Sequence, residues 1–193
     1  MTKKNQLAAF GFAGIMLLLY SCGGGEQKKE EVVKPSKEEL RASIKVMEDS
    51  LKNLQANQLP VQNLHRMELI NRLRLYYESY SKDNYSSVCL DNIHMIYSGM
   101  GVHELSIAYA DTLLEKYPKY ENRAMVLESQ GSNYDVFISP RDSAMVRYYY
   151  SLLLKENPDL DKDKRQGIID RLAQNNLTFD EYLNKKIKDM VIK

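Results

Sequence analysis

Ser106-Ile107-Ala108-Tyr109-Ala110-Asp111-Thr112-Leu113-Leu114-Glu115-Lys116-Tyr117-Pro118 is the stretch whose reading decides the fold. Small or apolar residues recur at Ser106, Ala110 and Leu113, and Leu114 and Tyr117 widen the stripe. Three- and four-residue steps place such residues on one side of a helix and fit no strand. Pro118 ends the element, since proline lacks an amide donor and restricts the residue before it. Upstream, the apolar-striped Val88 to Tyr97 closes on Ser98-Gly99-Met100-Gly101. Two helices around a glycine turn make an αα-hairpin, and the remainder of the chain reads as variations on it.

Ser36 followed by Glu39 has the form of a capping box that opens a helix. Leu40, Ile44, Met47, Leu51 and Leu54 continue it as a heptad-like seam to about Ala56, before the break at Leu59-Pro60. A second helix, about Val61 to Ser81, carries Leu64, Met67, Ile70, Leu73, Tyr77 and Tyr80 on one side, with Leu69 and Tyr76 broadening the face. After the hairpin come Ala124 to Phe137, a break at Ser139-Pro140-Arg141, and Asp142 to Glu156. Asp161 to Gln174 follows, with Ile168, Ile169 and Leu172 as its apolar side. Asn175-Asn176 breaks it, and Thr178 with Glu181 repeats the capping box ahead of a last helix through Tyr182, Leu183 and Ile187. No segment alternates as a strand, so the expected class is all-α, with eight helices in four hairpins.

Composition agrees with this. A chain of 193 residues that is 44% hydrophobic and 27% charged can bury one substantial core. Few Gly (9) and Pro (5) favour helices with short connections over a sheet of many turns. A formal net charge of +1 lacks the basic excess of a nucleic-acid binder.

The N-terminus reads as an address. Lys3 and Lys4 precede an apolar run, Leu7 to Tyr20, that is short for a membrane span and fits a secretory leader. It ends in Leu19-Tyr20-Ser21-Cys22-Gly23, which resembles the bacterial lipobox, in which cleavage precedes a cysteine that is then fatty-acylated. Leu19 matches the aliphatic position, Ser21 the small residue and Cys22 the acylated cysteine; Tyr20 departs from the pattern. An ordinary leader or an uncleaved anchor is the alternative. The resemblance divides the chain into a leader (1–21), a lipidated Cys22 with a flexible glycine-rich and charged tether (22–35), and a helical domain (36–193). Removing Lys3 and Lys4 with the leader leaves 25 basic against 26 acidic residues.

Two hairpins superpose in sequence. Leu90, Ile93, His94 and Tyr97 correspond to Leu127, Gln130, Gly131 and Tyr134. Ser106, Ala110, Leu113 and Pro118 correspond to Val146, Tyr150, Leu153 and Pro158. Repeated helix pairs indicate stacking units, none of which buries its apolar face alone. The pattern resembles the tetratricopeptide repeat in Leu127, Gly131, Tyr134, Pro118 and Pro158. It departs from it at His94, where the family has glycine, and at Val146, where the family has alanine. With the lipobox, the chain is similar to repeat lipoproteins of the Bacteroidota. That resemblance implies a right-handed, TPR-like α-solenoid, anchored by lipid to the outer membrane on its periplasmic or its outer face, that binds other cell-envelope proteins.

By the same resemblance the first helix of each pair lines a groove. It would expose Asp91, Met95 and Ser98 in one unit and Glu128, Ser132 and Asp135 in the next, a mildly acidic surface suited to a basic or amphipathic segment. An ordinary solvated helix face is the alternative. Asp49-Ser50-Leu51, Asp111-Thr112-Leu113 and Asp142-Ser143-Ala144 resemble the Asp-Ser/Thr-apolar sequon of Bacteroidota O-glycosylation, which would modify Ser50, Thr112 and Ser143. Zinc, phosphate and dinucleotide motifs are missing, so no metal, cofactor, small-molecule substrate or catalytic residue is expected. Two other readings compete with the scaffold: a self-associating structural lipoprotein using the Leu40-to-Leu54 seam, and a hydrolase centred on His94 and Asp91. Cys89, within an apolar helical pattern, reads as a small buried hydrophobe.

Overall fold

The computed structural model describes residues 34–191. The leader, Cys22 and the tether as far as residue 33 lie outside them. Contacts divide the chain at Lys34, and the description concerns the unit that begins at Pro35. It is all-helical: α1 (Lys37–Ala56), α2 (Asn63–Ser79), α3 (Tyr85–Gly99), α4 (His103–Lys116), α5 (Arg123–Ser132), α6 (Ser143–Glu156), α7 (Lys162–Ala173) and α8 (Phe179–Val191). Among the described residues there is no strand, and no helix is long and apolar enough to cross a membrane.

Both capping boxes form. Ser36 Oγ accepts from the Glu39 amide while Glu39 accepts from the Ser36 amide. Thr178 and Glu181 do the same at α8. Asp142 and Asp161 cap α6 and α7, each accepting from two amides of the first turn. Such caps satisfy donors that a helix start leaves open. Gly101 ends the α3–α4 turn at a φ of 74°, a region where a side chain is strained.

Neighbours in sequence are neighbours in space, from α1 through α7. The apolar interior is three linked clusters. Leu40, Ile44 and Met47 of α1 meet Leu69, Ile70, Leu73 and Tyr76 of α2 and Cys89, Ile93 and Tyr97 of α3. Leu90, Ala110, Leu113 and Val126 join α3, α4 and α5. Leu127, Tyr149, Leu153 and Ile168 join α5, α6 and α7.

Three expectations need correction. The buried face of α2 is Leu69, Ile70, Leu73 and Tyr76, whereas Leu64 is exposed. Neighbours on two sides, α1 and α3, select a stripe rotated from the one that spacing suggested. In α7, Ile168 is buried but Ile169 is exposed. The segment expected as one helix to Phe137 instead widens into a π turn, Asn133–Phe137, before a cis Ser139–Pro140 bond. A π turn holds an extra residue, so it re-aims the side chains that follow.

The superposed hairpins exchange volume. A Cβ added at Gly131 would lie 2.4 Å from Tyr150 Cε1, so the glycine lets that ring lie against the α5 backbone. The corresponding pair in the preceding hairpin is His94 and Ala110, both fully buried. There the large residue sits on the first helix and the small one on the second. His94 Nδ1 is 2.8 Å from Ser106 Oγ and 3.2 Å from the Ser106 carbonyl oxygen. The large residue at 94 is thus accompanied by a small one, Ala110, at the position that holds Tyr150 in the next hairpin.

Candidate functional site

The expected groove is carried by the first helix of each pair, and the structure divides its six residues into two kinds. Met95 is 54% exposed. It lies in a depression of about 390 Å³, with Leu51, Leu69 and Ile96 among its apolar lining and Glu48 and Lys52 among its polar residues. Ser98, one helical turn on, is half-buried.

The other four are occupied within the chain. Asp91 accepts from the Tyr120 hydroxyl at 2.9 Å. Burial pushes that phenol up to about 12. Glu128 pairs with Lys164 of α7 at 2.8 Å, tying two of the first helices together. Ser132 Oγ is 3.2 Å from the Tyr150 hydroxyl.

Asp135 is the clearest departure from the expected groove. It stands in the π turn with its side chain 1% exposed, held by Arg171 at 2.6 Å and Arg141 at 2.7 Å. Arg141 also donates to the Asn175 carbonyl and side-chain oxygens, and Arg171 to the carbonyls of Gln174 and Leu177. One carboxylate thus fastens the π turn to the start of α6 and to the α7–α8 connection. A buried charge needs such partners, because its desolvation is otherwise uncompensated. Asp135 is a fastener and takes no part in a groove.

A second network was not legible in the sequence, where Lys82-Asp83-Asn84 reads as a turn. Asp83 accepts from Lys37 at 2.5 Å, Arg41 at 2.9 Å, the Tyr76 hydroxyl at 3.1 Å and the Tyr85 amide at 2.9 Å. The Lys37 and Tyr85 donors hold its carboxyl well below the usual carboxylate range. Arg41 also lies 4.6 Å from the Tyr85 ring centroid. The residues that meet at Asp83 come from α1, α2 and α3, and no local spacing brings them together.

A second depression, of about 660 Å³, lies where α3 begins and α4 ends, lined by Tyr85, Val88, Tyr117, Pro118 and Tyr120 among others. The Tyr117 hydroxyl donates to the Ser81 carbonyl and that of Tyr120 to Asp91.

No hydrogen bond joins His94 to Asp91 among the described residues. His94 is fully buried, its Nδ1 faces Ser106, and Nε2 meets no hydrogen-bond partner among the described residues. Burial holds its pKa below the ordinary value. Cys89 is also fully buried, its thiol pushed up to about 12. A protonated buried thiol is a poor nucleophile. Among the described residues no three His, Cys, Asp or Glu side chains are placed to hold a metal ion.

Of the sequon residues, Ser50 and Ser143 are exposed and Thr112 is half-buried. Thr112 Oγ1 donates to the Ala108 carbonyl at 2.8 Å, inside α4. The accompanying aspartates all have partners within the chain, Asp49 pairing with Lys45 at 3.1 Å. Asp111 accepts from Gln130 and Tyr149, and Asp142 caps α6. Comparison with protein-family models, with curated proteins and with solved structures gave no match.

Proposed function

We propose that this chain is a membrane-anchored helical-repeat scaffold that holds a segment of another cell-envelope protein. The observation that carries this reading is the depression around Met95. An exposed, adaptable methionine sits beside Leu51, Leu69 and Ile96, with Glu48 and Lys52 offering charges of both signs. Apolar anchors with a mixed charged rim suit the apolar face of an amphipathic helix. The TPR-like solenoid is part of the proposal. Its support is the packing of each helix on the next from α1 through α7 and the opposite placement of large and small residues at corresponding positions, His94 and Ala110 against Gly131 and Tyr150.

Cys22 supplies the anchor in this reading, and the tether before Pro35 confines the helical unit near a membrane, raising the effective concentration of partners there. The outer membrane, facing the periplasm, is the proposed setting. The two competing readings find less support. Leu40, Ile44 and Met47 of the α1 seam are buried against α2 and α3, which leaves its half-buried end, Leu51 and Leu54, to a second copy. His94 opens to no cavity wall of either depression described above, and Asp91 is bonded to Tyr120.

The test is crosslinking in intact cells, with the natural chain and with Met95→Glu. Because Met95 is exposed, this change leaves folding intact. Envelope proteins that crosslink to the natural chain should be recovered at least about tenfold less with Met95→Glu, as loss of a buried apolar anchor predicts. Recovery of the same proteins undiminished sinks the groove reading. Fatty-acid labelling that persists in Cys22→Ala sinks the anchor.

A further inference from the structure

Helix α8 is attached to the rest of the unit at one end. Tyr182 is its buried residue, covered by Arg171, whose guanidinium lies 5.1 Å from the ring centroid. Every residue from Leu183 to Val191 is exposed. Leu183, Ile187 and Met190 follow at four- and three-residue steps, and Val191 adjoins them, so four apolar side chains form one stripe that faces solvent. Helical spacing places Lys186 and Lys188 on the two flanks of the stripe and Lys185 roughly opposite it. From Leu183 to Val191 there are three lysines and a single acid, Asp189. The acids of the first turn, Asp180 and Glu181, lie at the attached end, and Glu181 is engaged in the capping box.

We infer that α8 is an interfacial helix that lies on an anionic lipid surface, with Leu183, Ile187, Met190 and Val191 in the acyl boundary and its lysines among the headgroups. Thirteen residues span roughly 20 Å, too short to cross a bilayer but ample to lie along one. Lysines flanking an apolar stripe extend their charged ends to headgroup level while their stems cover apolar surface. Charge decides between a membrane and a second copy of this chain. Pairing two stripes about Ile187 brings the flanking Lys186 and Lys188 of both copies together, like charge against like charge. An anionic surface attracts the same cluster. The inference does not depend on the Met95 depression, which belongs to other helices.

The test uses the full chain carrying Cys22→Ala, which removes the acylated thiol and leaves the buried Cys89 as the native one. An environment-sensitive fluorophore is placed on Met190→Cys or, separately, on Lys185→Cys. Vesicles of phosphatidylglycerol and phosphatidylcholine are compared with phosphatidylcholine alone. On the anionic vesicles the probe at 190 should shift to the blue and be quenched by a lipid-borne quencher, while the probe at 185 should not. Neutralising Lys185, Lys186 and Lys188 to Gln should weaken the response at 190 on the order of a hundredfold, given roughly fivefold per lysine near an anionic surface. Ile187→Ser, which leaves the charges in place, should weaken it as well. Because the readout sits on α8, binding through the N-terminal apolar run does not imitate it. No shift at 190, an equal shift on phosphatidylcholine alone, or equal burial of both probes overturns the inference. So does a lipid-free shift at 190 that grows with protein concentration, which would assign the stripe to a second copy.

Discussion

At the scale of single residues, the sequence located departures without saying what they answer. His94, where the second hairpin has Gly131, is visible in the alignment of the two hairpins, but its partner, Ser106, sits on another helix. Buried, with its pKa held low, His94 gives the protein a defined pH response. As pH falls below the ordinary histidine value of about 6.5, the unfolded chain takes up this proton before the folded one does. The stabilisation is therefore complete above that pH and is lost as pH falls towards the depressed folded value. Denaturant midpoints measured between about pH 7 and pH 5 should decline in the natural chain. The decline should be shallower in His94→Gln, whatever that variant's stability at neutral pH; an unchanged slope would exclude His94 as the source. Asp135 offers a larger effect. Asp135→Ala leaves Arg171 and Arg141 close together without their shared carboxylate, and unfolding experiments should show a loss of about 3–5 kcal/mol. A loss below about 1 kcal/mol would mean that the two guanidiniums find other partners.

At the scale of elements, starts were legible and faces were less so. Capping is local chemistry, complete within four residues, which is why Ser36–Glu39 and Thr178–Glu181 could be read from sequence. Which side of α2 is buried depends on where α1 and α3 lie, and periodicity cannot weigh that. The π turn escaped for a similar reason. Asn133 to Phe137 continues the spacing of α5 without a break signal, and its widening is tied to Asp135, one of whose two arginines, Arg171, lies 36 residues away. In α8 the contrast is sharpest: the cap was foreseen, yet of Tyr182, Leu183 and Ile187 on the expected helix only Tyr182 is buried, and spacing alone does not say so. With Tyr182 alone buried, the cap matters unusually to this helix. Thr178→Ala should cost about 1 kcal/mol locally. In hydrogen-exchange measurements it should speed exchange within Phe179–Val191 and leave α3 and α4 unchanged. Acceleration spread evenly over all helices would show that α8 unfolds only with the whole.

At the scale of the whole unit, three apolar clusters in series raise the question of whether they melt separately. Each cluster could in principle act alone, since stacked helix pairs contact chiefly their neighbours. The side chains between them argue otherwise. Tyr77 and Tyr109 pack against both the first cluster and the second, and Leu114 packs against both the second and the third. Destabilising the middle cluster therefore loosens packing on either side. Leu113 is the residue to change, being fully buried on α4 together with Leu90, Ala110 and Val126. Leu113→Ala should cost about 2–5 kcal/mol, a large part of the ~5–15 kcal/mol typical of a folded domain. The unfolding curve should move as one transition. Helix content followed by circular dichroism and tyrosine fluorescence should coincide, the latter drawing on 14 tyrosines and no tryptophan. Two separated transitions, with α1 and α2 surviving the first, would show that Tyr77 and Tyr109 do not couple the clusters. In that case a partner held at Met95 would stabilise the first cluster without steadying α5 to α7.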